Sequence, residues 1–393
     1  MFNQIIAPKK SMQDQFDTLI NSICTNVSGG ELKQLGALFT QSFLQGLSKI
    51  IYENEMNNHP SCDIEVESQL CWIDKAPYAQ LCDGIPFDRK VELGDAMFIF
   101  DKQFIDNNSQ KLISERKKAF ILQAKVTDKD DKNALVPITG YDPIKKNSTF
   151  KELELYKQWL PFNISYASNT NRIEEPKVDV IKYRTTDTYR FAWYGVVADK
   201  KNGSHYNWPC RWMVGKSLMG QPCDRTMGEL LSGFYQDNNV DGVHVGEYYS
   251  GTTDSNAAWG KVVWHVLTRC QQLKMPKEVP QHSILNCRKI SHKKSYKKSY
   301  KNKLHSLGLD KKVINDIASL LIYHPNLPMQ LIVYKTICHH LKNKKIKPND
   351  FICKAAIKAI SIGATPITVN VKGIKKPRSF PIIRIVVKRY NNE

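Results

Sequence analysis

Two stretches decide the reading of this chain: VELGDAMFIF at 91–100 and KAFILQAKV at 118–126. Each is an apolar run of strand length with polar residues near one end. Asp95 stands near the start of the first run, in Glu92-Leu93-Gly94-Asp95. Gln123 and Lys125 stand near the end of the second, in Gln123-Ala124-Lys125. If the runs pair antiparallel with Phe100 opposite Phe120, Lys125 falls opposite Asp95 and Gln123 opposite Met97, all on one face. Ala96, Phe98, Phe100, Phe120, Leu122 and Ala124 then line the other face as an apolar stripe. One acid, one amide and one lysine converge at one end of a buried hairpin. Polar residues at strand ends are often simply solvated. Gln123 and Lys125, however, alternate with residues of an otherwise apolar run, and burying them costs free energy unless they are partnered or used.

Around this hairpin the pattern predicts further elements. Residues 30–52 read as an amphipathic helix, with Leu35, Leu38, Phe39, Phe43, Leu44 and Leu47 at three- and four-residue steps. A strand follows at 64–73, then a turn-rich stretch with Pro77, Gly84 and Pro86. The polar residues 101–117 are expected to form a long loop. A helix is expected at 149–160, capped by Ser148 or Thr149. Later come a strand at 190–198 and helices near 226–236 and 256–273. Residues 168–287 read as a middle extension or a small second domain. Their tryptophans (Trp193, Trp208, Trp212, Trp259, Trp264) and Tyr194 could stack on bases, but core packing is the commoner use. MVGKS at 213–217 lacks the first glycine of a phosphate loop, since Cys210 stands in that place.

The C-terminal part differs in composition. Residues 288–393 hold 24 Lys/Arg and four acids, while residues 1–287 hold 33 Lys/Arg and 34 acids. A neutral body with a strongly basic end points to a polyanionic partner, most often nucleic acid. RKISHKKSYKKSYKNK at 288–303 repeats KKSY and reads as a basic linker. Three helices near 310–322, 328–342 and 348–361 and two short strands, 366–371 and 380–389, follow in the order of a winged-helix module. Apolar residues make up 41% of the 393, which excludes a disordered chain, a collagen-like fibre and a disulfide scaffold. No apolar run reaches eighteen residues and the first residues carry no signal-peptide core, so no membrane association is expected. Ten scattered cysteines without a CxxC argue against zinc knuckles and disulfides and fit a cytoplasmic location.

An Asp on one strand and Gln-x-Lys on the next resembles the PD-(D/E)XK restriction-endonuclease-like superfamily, in its Mrr-type variant with Gln in place of the second acid. The resemblance covers residues 30–167; a Pro common before the Asp is replaced here by Gly94. It implies an α/β fold with a restriction-endonuclease-like αβββαβ core at 1–167, followed by the middle extension and a basic, mainly helical C-terminal module at 304–393. It implies Mg²⁺ or Mn²⁺ as cofactor, with Asp95 as main metal ligand, the Gln123 carbonyl as a second and Lys125 stabilising charge at the phosphate. Family members often add an acid from the first helix; here Glu31 stands at its start and Glu53 and Glu55 just past its end, and the pattern marks none of them as that ligand. The activity implied is endonucleolytic hydrolysis of DNA, in microbial defence against foreign or phage DNA. The alternatives are a non-catalytic nucleic-acid binder on a degenerate nuclease scaffold, and a defence-complex subunit whose basic end binds a partner protein. Asp95 and Lys125 are expected to be needed for cleavage and not for folding.

Overall fold

In the computed structural model the two apolar runs lie side by side in one mixed sheet. The structure describes residues 11–25, 27–73, 76–127, 134–137, 140–166, 173–181, 188–198, 208–250, 258–272, 284–286, 290–291 and 380–391. The elements begin with α1 (Met12–Cys24), α2 (Glu31–Gly36), α3 (Gln41–Asn58), β1 (Asp63–Ile73), β2 (Tyr78–Leu81), β3 (Val91–Glu92), β4 (Ala96–Asp106) and β5 (Leu112–Thr127). They continue with α4 (Ser148–Gln158), β6 (Phe162–Ser165), β7 (Glu175–Val178), β8 (Ala192–Ala198), β9 (Trp212–Lys216), β10 (Arg225–Thr226) and α5 (Met227–Gln236). The last are β11 (Asn239–Val240), β12 (Val243–His244), β13 (Glu247–Tyr248), α6 (Ala258–Gln272), β14 (Ile284–Asn286), β15 (Ile290–Ser291) and β16 (Phe380–Asn391). The main sheet runs β10-β9-β8-β5-β4-β16-β1-β14, with β13 beside β5, and a smaller sheet runs β3-β2-β6-β7.

Several elements differ from the sequence expectation. The helix expected at 30–52 is two helices, broken at 37–40, because Thr40 turns its side chain onto the Phe43 N–H and caps α3 afresh. A helix not anticipated, α1, carries a capping box between Ser11 and Asp14 and buries Met12, Phe16, Ile20 and Cys24 at four-residue spacing. Residues 101–117 are not a long loop. The hairpin ladder continues to Ile105 and Leu112, and Asp106 closes the turn by accepting from the Asn108 and Ser109 N–H groups. Backbone pairing is indifferent to side-chain polarity, and oppositely charged neighbours support it: Asp101 lies opposite Lys117.

The largest difference concerns the end of the chain. Phe380–Asn391, expected as one arm of a terminal ribbon, is an inner strand: β16 lies between β1, to which it is antiparallel, and β4, to which it is parallel. The reason is visible in its burial. Phe380, Ile382, Ile383, Ile385, Val386 and Val387 are all buried, so both faces of the strand need cover. The chain divides into two units, one of Met1–Ile290 with Arg378–Glu393 and one of Ser291–Pro377. The linker beyond 291, the three helices expected at 310–361 and the strand at 366–371 lie outside the described residues. The 168–287 stretch supplies β8, β9 and β10 to the main sheet.

One face of β4 and β5 carries the apolar stripe. Phe98 and Phe120 stack at 5.0 Å, and Phe39, Phe234 of α5 and Tyr235 of α5 close over Phe98, Phe100 and Phe120. α4 reaches the opposite face through Tyr156. Trp193, Tyr194, Trp212 and Trp259 are core side chains, whereas Trp264 is half exposed. No helix among the described residues is long and apolar enough to cross a membrane.

Candidate active site

The hairpin register differs by two residues from the one expected. Phe98, not Phe100, lies opposite Phe120, and Ala96 lies opposite Leu122. Asp95, just before β4, is tied into the ladder by its N–H donating to the Leu122 carbonyl at 2.9 Å, which brings it against Gln123 and not Lys125. A slip of two preserves which residues share a face, because the strand period is two. The three predicted residues therefore stay on one face, opposite the apolar stripe.

Their contacts are specific. Asp95 Oδ2 accepts from Gln123 Nε2 at 2.5 Å and from the Ala124 N–H at 2.8 Å. The Tyr156 hydroxyl of α4 lies 3.0 Å from Gln123 Oε1 and 2.7 Å from the Leu93 carbonyl oxygen. Lys125 Nζ is 2.6 Å from Glu152 Oε2, also of α4, in an ion pair with both side chains about nine-tenths buried. Glycine precedes Asp95 for a steric reason. Gly94 has φ +155°, and a Cβ there would come within 2.2 Å of Ile121 Cγ2.

Electrostatics mark the same place. Burial, then the Glu31 carboxylate, holds Asp95 well above the usual carboxylate range, although Lys125 pulls the other way. Burial pushes Glu31, at the start of α2, up to about 7; Lys125 opposes this, and Glu152 and Glu92 add to it. Glu152 is raised by burial against the pull of Lys125. Burial lowers Lys125, but Glu152, Asp95 and Glu31 outweigh it and keep the ammonium charged. Glu152 thus contacts the lysine directly, while the Asp95 and Glu31 carboxyl groups act on it through space.

These carboxyl groups resist ionisation while buried together, and a hard cation held by one or two of them and water would favour their charged form. Asp95 and Glu31 are the oxygen donors that fit best. Gln123 departs from its expected part: it turns its amide nitrogen, not its oxygen, toward Asp95. Among the described residues no three His, Cys, Asp or Glu side chains gather as a metal-holding group. Of the other first-helix acids, Glu53 pairs at the surface with Lys49, and buried Glu55 pairs with Lys102 and Arg389. Their helix leads away into the β16 contacts.

Glu152 and Tyr156 were not singled out by sequence reasoning. Their signal is a pair at (i, i+4) on α4, with an acid among the buried Phe150, Leu153 and Leu155. Helical spacing places them on one face but cannot say which strand that face meets. Set against protein-family models, characterised proteins and solved structures, the chain matches none.

Proposed function

We propose that the protein is a metal-dependent endonuclease hydrolysing DNA phosphodiester bonds, with Mg²⁺ or Mn²⁺ as cofactor. The observation that carries this reading is the convergence of Asp95, Gln123 and Lys125 on one face of adjoining strands, with Glu31 and Glu152 beside them. The chain order also supports it. α3, β1, β4, β5, α4 and β8 follow the αβββαβ order, with β5 and β8 parallel across α4 and β16 inserted between β1 and β4.

The bound cation would polarise the phosphate and lower the pKa of a water. Asp95 and Glu31 would hold it, and the Ala124 N–H fixes the Asp95 carboxylate in place. Lys125 supplies a fixed positive charge for the charge that develops on the phosphate, a contribution of the order of 10²–10³ in rate. Glu152 holds that ammonium in position. A role in defence against foreign DNA follows from the resemblance. The second reading, a non-catalytic nucleic-acid binder, is favoured by one observation: Lys125 is already neutralised by Glu152.

The deciding experiment is incubation of the full chain with plasmid, linear duplex and single strands, with Mg²⁺, Mn²⁺ or chelator. Cleavage is expected with either cation and none with chelator. Cleavage that survives chelation, or none under any condition, sinks the proposal. Binding is tested separately. The Ser291–Pro377 unit holds 18 Lys/Arg against three acids. Replacing 292–377 by a Gly/Ser linker should flatten the log–log salt dependence of DNA binding by about 0.9 for each phosphate that this segment neutralises. An unchanged slope would favour a protein partner for that segment.

A further inference from the structure

The hydrogen bonds around Gln123 do not close in the arrangement seen. The Tyr156 hydroxyl has one proton, and it faces two groups that can only accept, the Leu93 carbonyl at 2.7 Å and Gln123 Oε1 at 3.0 Å. Both lie in the interior, where Tyr156 is fully buried and Gln123 nearly so. One acceptor is therefore left short. Turning the Gln123 amide over removes the shortfall. Nε2 would then donate to a lone pair of the Tyr156 oxygen, whose proton passes wholly to Leu93. The two ends of an amide are nearly equal in size, so the turn needs no space. Without a cation it is opposed when Asp95 is ionised, because Oε1 would then face a carboxylate oxygen with no proton between them. Two oxygens facing one another are what a hard cation bridges.

We propose that Tyr156 is the positioning residue on which Gln123 turns its amide over, so that a divalent cation beside Asp95 gains the Gln123 oxygen as a ligand. This rests on the metal site of the proposed function. It goes beyond that site in giving the glutamine two states and naming the residue that permits the second. The Ala124 N–H stays on Asp95 Oδ2 in both states, so the carboxylate does not move when the amide does.

The test is Mn²⁺ binding by the full chain, measured calorimetrically, in Tyr156→Phe, Gln123→Glu and the double variant. Phenylalanine offers no lone pair to the turned amide, so Tyr156→Phe should weaken Mn²⁺ about tenfold, one net hydrogen bond's worth. A glutamate has two oxygens and needs no turn. Tyr156→Phe should therefore change Mn²⁺ affinity by less than about threefold in the Gln123→Glu background, which a merely structural tyrosine would not show. No loss in the wild-type background, or equal losses in both, overturns the proposal. If wild type binds no Mn²⁺, this proposal and the metal site fall together; if it binds Mn²⁺ without cutting DNA, only the nuclease reading falls. Should Tyr156→Phe fail to fold, the Gln123 side-chain amide signal of ¹⁵N-labelled wild type decides. It should shift on Mg²⁺ addition as its protons leave the carboxylate, and an unmoved signal overturns the proposal.

Discussion

Asp95→Asn is expected to abolish metal-dependent cleavage while leaving the Tm at pH 7 unchanged or raised. The carboxylate is the strongest donor to a hard cation at this site, and an amide oxygen is a poor substitute. Folding should not suffer, because asparagine keeps the shape and an oxygen for the Ala124 N–H that Asp95 accepts at 2.8 Å. The charge itself is a burden to the folded state: burial, then Glu31, raises Asp95 well above 3.8. A carboxyl whose folded value is raised holds its proton more tightly when folded. Its contribution is therefore fullest below 3.8 and declines as pH rises from there through the raised folded value. Asn lacks that titration, so the fall of Tm with pH above about 4 should be shallower in the variant. Thermal melts across pH, run beside cleavage rates, test both halves. A variant that cuts at the wild-type rate refutes the catalytic role; one that loses ten degrees or more refutes the electrostatic account.

Lys125 calls for a different variant. The expectation that it could be removed without harm to folding does not survive its ion pair with Glu152. Lys125→Ala would leave a buried carboxylate unpaired, and breaking such a pair from one side typically costs about 3–5 kcal/mol. Replacing both partners by neutral groups of similar shape, Lys125→Met with Glu152→Gln, separates the roles.

Ending the chain before Phe380 is expected to abolish the folded state of the larger unit. β16 pairs from Phe380 to Tyr390 with β1 on one side and from Ile382 to Asn391 with β4 on the other. Burying Phe380, Ile382, Ile383, Ile385, Val386 and Val387 is worth about 1.5–3 kcal/mol each. Their sum, on the order of 10 kcal/mol, matches the whole stability of an ordinary domain. The truncation would also strip buried Glu55 of Arg389 and buried Asp101 of Arg384. Circular dichroism should show no cooperative thermal transition. A soluble truncated chain melting within a few degrees of wild type would mean that β1 and β4 can close without the strand. Removal of the basic segment therefore has to spare residues 378–393.

Local pattern was enough for the hairpin, for the sharing of one face by Asp95, Gln123 and Lys125, and for α4, α5 and α6. Strand alternation has a period of two, so an assumed register wrong by two residues still put the same side chains together. Helices are held by contacts three and four residues away, which a linear reading sees directly. The place of β16 was not legible. Its apolar run announces a buried strand, but its partners lie some 285 to 327 residues earlier, and nothing local distinguishes a central strand from a hairpin arm. The same holds for the site's missing members. Glu31, Glu152 and Tyr156 look like ordinary helix residues until packing brings α2 and α4 to the end of β4 and β5. The amide direction of Gln123 was also decided there, because it depends on a tyrosine 33 residues away. Sequence determined which faces exist and what chemistry each carries; tertiary packing decided which faces meet, since that choice rests on burial and hydrogen bonding between segments far apart in the chain.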